Sequence, residues 1–232
     1  MSYVVVSGAN RGLGLELVRQ LLEQGRRVIA ACRKPAQANP LTALSGAYPG
    51  HLKALPLNVA SERSIDEFVR EVAMLGITID LLINNAGVLV SGERLGALAA
   101  KPLAESYAAN AIGPLLLSQA LLPQMEKGKK SLIVNISSSL GSLQRTQAFG
   151  TVSYAMSKAA LNMVTRQLAA ELASERIAVV SVHPGWVQTD MGGAGASLAV
   201  APAVTALLAR VNLLGMQDTG RFIGTDGADL PW

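Results

Sequence analysis

Cysteine, histidine and aromatic side chains are scarce in this chain of 232 residues, which has one Cys, two His and 4% aromatics. A single Cys32 excludes an internal disulfide and a cysteine-built metal cluster; it reads as a small buried hydrophobe in a reducing compartment. No set of His, Cys, Asp and Glu has the spacing of metal ligands, so no metal is expected. The low aromatic content removes the stacking platform that single-strand nucleic-acid binders use. Charge is sparse too, at 16% against 50% hydrophobic residues, which is too little for a disordered chain and ample for a large core. Yet no apolar run approaches the roughly 18 residues that span a bilayer. Nor does the start, Ser2-Tyr3-Val4-Val5-Val6, carry the basic flank and cleavage pattern of a secretory leader. These absences make a cytoplasmic protein the expectation, with no membrane or nucleic-acid partner. The formal net charge is +4 and the cations are dispersed; the one compact run, Lys127 to Lys130, reads as a solvated helix end. Such an excess suits an anionic small molecule better than a polyanion.

What is present is alternation. Tyr3-Val4-Val5-Val6 is a β-branched run that leads into Ser7-Gly8-Ala9-Asn10-Arg11-Gly12-Leu13-Gly14, and Leu15 to Leu22 then shows helical apolar spacing. Strand, glycine turn and helix are the layout of a dinucleotide-phosphate site. Glycine lets main-chain N–H groups approach a pyrophosphate at the positive end of a helix. The spacing is G-x-x-x-G-x-G rather than G-x-G-x-x-G. After Gly25, Arg27 to Cys32 reads as a second strand with Arg33-Lys34 at its tip. An acidic residue normally holds the ribose 2′-hydroxyl of NAD near this point. Here Cys32 and Arg33 stand in that region, and a guanidinium suits a 2′-phosphate, with Arg11 placed to help. NADP(H) is therefore favoured over NAD(H).

Leu52 to Leu57 reads as a third strand ending at Asn58-Val59. Ser61 then caps a helix through Ile65, Phe68, Val69 and Val72. Ile79 to Ile83 is a fourth strand, running into Asn84-Asn85-Ala86-Gly87, and residues 88–101 read as loop. Pro102 to Lys127 reads as one helix, with Asn110 inside it and a kink at Pro114. Leu132 to Ile136 is a fifth strand before Ser137-Ser138-Ser139. Ala178 to Val182 is a sixth, ending in His183-Pro184-Gly185, and residues 198–214 form an apolar helix. Strands apolar on both faces alternate with helices, which argues a parallel sheet covered on both sides. With no linker or repeat, the expectation is an α/β, single-domain, Rossmann-like doubly wound sheet. Its cofactor-binding half is about 1–100 and its catalytic and substrate half about 101–232.

Tyr154-Ala155-Met156-Ser157-Lys158 puts a phenol and an amine one turn apart on one helix face. A nearby ammonium favours the phenolate, so Lys158 is expected to pull the Tyr154 pKa down and make a general acid/base near neutrality. The suspect groups all fall just past strand ends, where open parallel sheets bind ligands.

In order, and at matching spacing, Gly8…Gly12-x-Gly14, Asn84-Asn85-Ala86-Gly87, Asn110, Ser138, Tyr154…Lys158 and Pro184-Gly185-Trp186-Val187-Gln188-Thr189 resemble the short-chain dehydrogenases/reductases over essentially the whole chain. Cys32-Arg33 and the ending Gly220-Arg221-Phe222-Ile223…Asp226-Gly227…Leu230-Pro231-Trp232 are similar to the C-factor/sniffer-type carbonyl reductase branch. The resemblance implies an NADP(H)-dependent oxidoreductase moving hydride between nicotinamide and a small carbonyl or alcohol. In it Tyr154 is the proton donor, and Lys158 holds the ribose hydroxyls and lowers the phenol pKa. Ser138 places the carbonyl oxygen, and Asn110 anchors a water in a relay to Lys158. Gly8, Asn10, Arg11, Gly12, Leu13 and Gly14 form the phosphate turn, with Arg33 at the 2′-phosphate and Asn58 and Val59 at the adenine. Asn85, Ala86 and Gly87 line the adenosine-ribose side; Pro184, Val187 and Thr189 take the carboxamide end.

Of the three adjacent serines, Ser138 matches the family position in Asn135-Ile136-Ser137-Ser138-x-x-Gly141. Ser7 stands where Thr is usual and Asn58 where Asp is common, and the stretch from Ser138 to Tyr154 is slightly long. Leu140, Phe149, Trp186 and Met191 are candidate substrate-pocket residues; Trp186 reads equally as pocket wall or loop packing. Gly192, Gly193 and Gly195 suggest a mobile lid. Family members often pair through the helices holding Asn110 and Tyr154, so a homo-oligomer, a dimer, is expected. The alternative is a C-factor-like signalling or nucleotide-sensing protein on the same fold.

Overall fold

The structure, a computed structural model, describes residues 2–127 and 131–232. Its centre is a seven-stranded, all-parallel sheet. Strand β1 (Ser2–Ser7) pairs with β2 (Arg27–Cys32) on one side and β4 (Thr78–Asn84) on the other. Beyond β2 lies β3 (Leu52–Pro56); beyond β4 follow β5 (Ser131–Ile136), β6 (Ile177–His183) and β7 (Phe222–Gly224). Pro56, which has no N–H to give a ladder, sits on the edge strand, where that does least harm.

Side chains alternate across a strand, so β1 splits its residues between two cores. Val4 and Val6 pack under α1 (Gly12–Glu23), α2 (Asn39–Ala47) and α7 (Val200–Leu213), with Leu17, Leu21, Leu41, Leu207 and Val211. Tyr3 and Val5 pack on the opposite face under α3 (Glu62–Met74), α5 (Gly113–Leu121) and α6 (Val152–Glu171), with Phe68, Val72, Leu117 and Leu168. Each fully buried side chain of this kind is worth about 1.5–3 kcal/mol, so apolar strands hold helices on both faces. The chain leaves β1 towards β2 and β3, then crosses back to β4 on the other flank. The segments following β1 and β4 therefore diverge at the carboxyl ends, and the crevice between them is the ligand position of such sheets.

Three expectations change. The long helix over 102–127 is broken into α4 (Ala100–Tyr107), a π turn over Ala108–Ile112, and α5, with a short 3₁₀ turn at Leu122–Gln124. Pro114 lacks an N–H, and its ring opposes the carbonyl four residues back, that of Asn110; the widened turn absorbs this at the residue singled out for chemistry. Helix thus stops before Lys127, and positions 128–130 of the basic run lie outside the described residues. Strand β7 was not expected, because three residues leave no periodicity to read. Among the described residues no helix is long and apolar enough to cross a membrane.

Candidate active site

Helix α1 opens at Gly12 with Arg11 extended, no side-chain cap and no acidic residue in its first turn. Its N-terminal N–H groups keep the partial positive charge of an uncapped helix end. Gly8 and Gly12 have φ of +67° and +52°, which only glycine adopts freely. A Cβ on Gly8 would lie 2.8 Å from Ala86 Cα, and one on Gly14 would overlap the Gly8 carbonyl oxygen and come within 2.5 Å of Asn85 Nδ2. The turn is thus pressed onto the segment after β4. Ser7 Oγ accepts from the main-chain N–H groups of Asn85 and Ala86, each at 3.1 Å. Asn85 Nδ2 donates back to the Ser7 and Gly8 carbonyls. The hydroxyl that replaces the usual Thr is fully used.

Around this turn Asn10 is exposed, Leu13 packs against the core and Arg33 is exposed at the tip of β2. Arg11 is not directed to Arg33's task. It pairs with Asp190, on the loop after β6, at 2.5 Å; both side chains are exposed, so the pair is worth at most about 1 kcal/mol and is easily exchanged. Asn58, also exposed, uses Oδ1 to accept from the Ala60 N–H at 3.3 Å, while its own N–H donates to Ser64. Val59 abuts the start of α5, where a Cβ on Gly113 would lie 3.0 Å from its own Cβ.

The glycine turn connects to the tyrosine helix through close contacts. A Cβ on Gly87 would meet Asn110 Oδ1 at 3.1 Å. Asn110, buried, accepts from the Val88 N–H and donates to the Val88 carbonyl, both at 2.8 Å, and donates to Ser157 Oγ at 2.9 Å. Next to Ser157, the buried Lys158 sends its ammonium to the Ile136 carbonyl at the end of β5, at 2.6 Å. The turn carrying the serines lies directly on α6, because a Cβ on Gly141 would come within 2.8 Å of Lys158 Cβ. That packing separates the three serines. Ser137 Oγ donates to Asn162 Oδ1 at 2.7 Å, whereas Ser138 Oγ accepts from the Leu140 N–H and acts on the Tyr154 hydroxyl beside it. Ser138, Tyr154 and Lys158 are therefore brought together at the carboxyl end of β5.

Their electrostatics differ from the sequence expectation. Burial pushes the Tyr154 phenol up to about 12, and the neighbouring Ser138 hydroxyl pulls the other way. Tyr154 is still partly exposed as a whole; it is the region of its hydroxyl that is surrounded by protein. Burial also pushes the Lys158 ammonium down to about 8. The ammonium lies 5.5 Å from the centroid of the Tyr154 ring and is spent on a carbonyl. The net lowering of the phenol expected from Lys158 is not what this arrangement gives: loss of water around the phenolate dominates and raises it.

Of the candidate pocket residues, Leu140, Phe149, Trp186 and Met191 are all exposed, Leu140 and Phe149 on the segment after β5, Trp186 and Met191 after β6. The glycine stretch after Met191 is folded back rather than open. Trp186 Nε1 donates to the Gly192 carbonyl at 2.9 Å, and the Gly192 N–H donates to Thr189 Oγ1 at 3.1 Å. The Thr189 hydroxyl is thereby turned to its own loop. Pro184 and the buried Val187 sit just before it, Val187 bridged to Leu198. His183, at the end of β6, has a buried Nδ1 without a partner; burial first, then the Arg145 cation, hold its pKa down.

Sequence reasoning gave no structural role to several residues that shape this region. A buried polar chain runs from Ser118 through Asn84, Asn135 and Thr165 to Ser181, with hydrogen bonds of 2.7 to 3.1 Å. Its signal was available: Asn84, Asn135 and Ser181 are polar interruptions of apolar strands. The tie from Trp232 had no such signal. Its main-chain oxygen accepts from the Gln144 N–H and Ser142 Oγ, and its ring stacks on Phe222 at 5.6 Å, fastening the stretch between Ser138 and Tyr154.

Comparison with known proteins agrees with this geometry. The short chain dehydrogenase family model matches residues 2–197. The NADPH-bound carbonyl reductase from chicken fatty liver superposes with a TM-score of 0.92 at 36% identity, covering 100% of this chain and 99% of that one. The carbonyl reductase Sniffer of D. melanogaster gives 0.94 at 31% identity, with 100% of both chains covered. C-signal of Myxococcus xanthus is 39% identical over 154 residues, 66% of this chain and 93% of its own length. The chain belongs to the short-chain dehydrogenase/reductase family, in its carbonyl reductase branch.

Proposed function

We propose that the protein is an NADP(H)-dependent carbonyl reductase acting on a small ketone or aldehyde, with Tyr154 as its acid. The observation that carries this is the Ser138 hydroxyl set beside the Tyr154 phenol, with Lys158 buried behind them, at a strand end. The fit to a dinucleotide rests on the uncapped α1 terminus and on a turn whose glycines leave no room for a Cβ. When bound, the nicotinamide supplies the hydride equivalent. Gly8, Asn10, Gly12, Leu13 and Gly14 would hold the pyrophosphate by main-chain groups. Arg33, with no side-chain partner among the described residues, would take a 2′-phosphate, with Arg11 released from Asp190 to assist. Asn58 and Val59 would border the adenine, Asn85 to Gly87 the ribose, and Pro184, Val187 and Thr189 the carboxamide. The chain would thus divide its work near residue 100, cofactor before and substrate after. The NADPH of the chicken liver structure supports the cofactor choice.

Ser138 would donate to the substrate oxygen and hold it beside the phenol. A phenol pushed up to about 12 is fully protonated at neutral pH, the state that gives a proton to a nascent alkoxide. Lys158, pushed down to about 8, stays mostly protonated at pH 7 and would turn from the Ile136 carbonyl to the ribose hydroxyls. Asn110 has its side chain fully occupied, so a relay water would fall to its main-chain carbonyl, which Pro114 deprives of an i+4 donor. Leu140, Phe149, Trp186 and Met191 would wall the substrate. Exposed Tyr107, Ile112, Met156 and Met163 on the α4–α6 layer favour a homodimer through that face, and the lone cysteine favours a cytoplasmic location. A monomer mass by light scattering would refute the dimer.

The similarity to C-signal favours one other reading, a signalling protein that binds nucleotide without turnover. Tyr154→Phe decides. The reductase should keep NADPH binding by fluorescence and lose carbonyl-dependent NADPH consumption by about 100-fold or more. Wild-type turnover in that variant refutes Tyr154 as the acid, and silence of the wild type across a broad carbonyl panel favours the signalling reading.

A further inference from the structure

The 88–99 loop after β4 is exposed along most of its length, and two side chains tie it down. Asn110 holds Val88 by both main-chain groups. Further on, Glu93 is the one half-buried residue among 91–100, and its Oε2 accepts from the Ser153 N–H at 3.0 Å. Ser153 is the second residue of α6 and Tyr154 the third. The helix has no cap of its own here. Thr151, in the N-cap position, is held at φ 42°, ψ 44°, and makes no side-chain cap bond. A β-branched residue in that left-handed region is strained. The Ser153 hydroxyl, buried, has no partner. The first turn therefore leans on a carboxylate supplied from 60 residues earlier in the chain. Such a carboxylate makes a charge-assisted hydrogen bond and also opposes the positive helix end.

We propose that Glu93 is a positioning residue: it caps α6 in place of Thr151 and so keeps the Tyr154 hydroxyl seated against Ser138. The proposal rests on the reading of Tyr154 as proton donor. Glu93 acts through the Ser153 N–H and the turn that follows it.

The test compares Glu93→Ala with Glu93→Gln, which keeps an acceptor and loses the charge. In Glu93→Ala, NADPH affinity should hold while kcat falls at least about tenfold, since misplacing a reacting group by on the order of 1 Å can cost about 100-fold. Glu93→Gln should recover most of that loss. Amide exchange in the first turn of α6 should quicken in Glu93→Ala only. A second readout needs no turnover: the phenolate absorbance of Tyr154, with Tyr154→Phe as the blank. As water reaches the loosened phenol, it should titrate nearer the ordinary value of about 10. Wild-type kcat together with an unchanged phenol titration in Glu93→Ala overturns the proposal, even if exchange quickens. Should wild type reduce no carbonyl compound, the reading of the reaction falls, and the phenol titration alone decides the positioning, an unchanged curve overturning it.

Discussion

Replacing Lys158 by methionine should separate the burden of burying an ammonium from its use. Burial pushes that ammonium from 10.5 down to about 8. A group with a depressed folded pKa favours the folded state above its unfolded value, and that advantage is lost as pH falls through the folded value. Between pH 8 and 10 the unfolded chain therefore holds nearly one proton more, and stability rises with pH. The limiting slope is about 1.4 kcal/mol per pH unit. Allowing for partial titration at both ends, the gain over this window is about 2 kcal/mol. Tyr154 works in the opposite sense: its raised pKa stabilises fully below 10 and is lost as pH climbs through about 12. Cys32, raised from 9.0 by burial, also opposes the gain at the upper end. Both are common to the two proteins and cancel on subtraction. The unpaired Ile136 carbonyl exists only in Lys158→Met and costs about 1–3 kcal/mol at every pH, a constant offset that leaves the pH dependence of the difference untouched. Urea unfolding of both proteins without cofactor, at pH 7, 8, 9 and 10, measures the difference. Wild type should gain about 2 kcal/mol on the variant between pH 8 and 10. Parallel curves would refute the claim that burial controls this ammonium.

Gly14→Ala should destabilise the fold by about 2–4 kcal/mol and abolish dinucleotide binding, since its Cβ overlaps the Gly8 carbonyl; melting with and without NADPH checks both. Arg33→Ala should weaken NADPH by about 10- to 100-fold and leave NADH unchanged in a fluorescence titration; equal losses would remove Arg33 from the 2′-phosphate. Trp186→Phe, which removes the donor to the Gly192 carbonyl, should change stability by no more than about 1.5 kcal/mol but speed limited proteolysis at 191–196 and raise KM more than it lowers kcat.

What the amino-acid sequence determined by itself was whatever lives within one strand, one turn or one helix face. Tyr3 to Val6 had to be a strand buried on both sides, Gly8 to Gly14 had to be a turn entering a helix, and Tyr154 and Lys158 had to share a face. Composition and period carry such contacts because the partners are a few residues apart. Tertiary structure decided the rest. It directed Ser137 to Asn162 and Ser138 to Tyr154, occupied the Asn110 amide with Val88 and Ser157, and brought Glu93 to the head of α6. It also reversed the sign expected for Tyr154, since desolvation is set by atoms packed around the hydroxyl from segments far along the chain, and no local pattern records how much water they exclude.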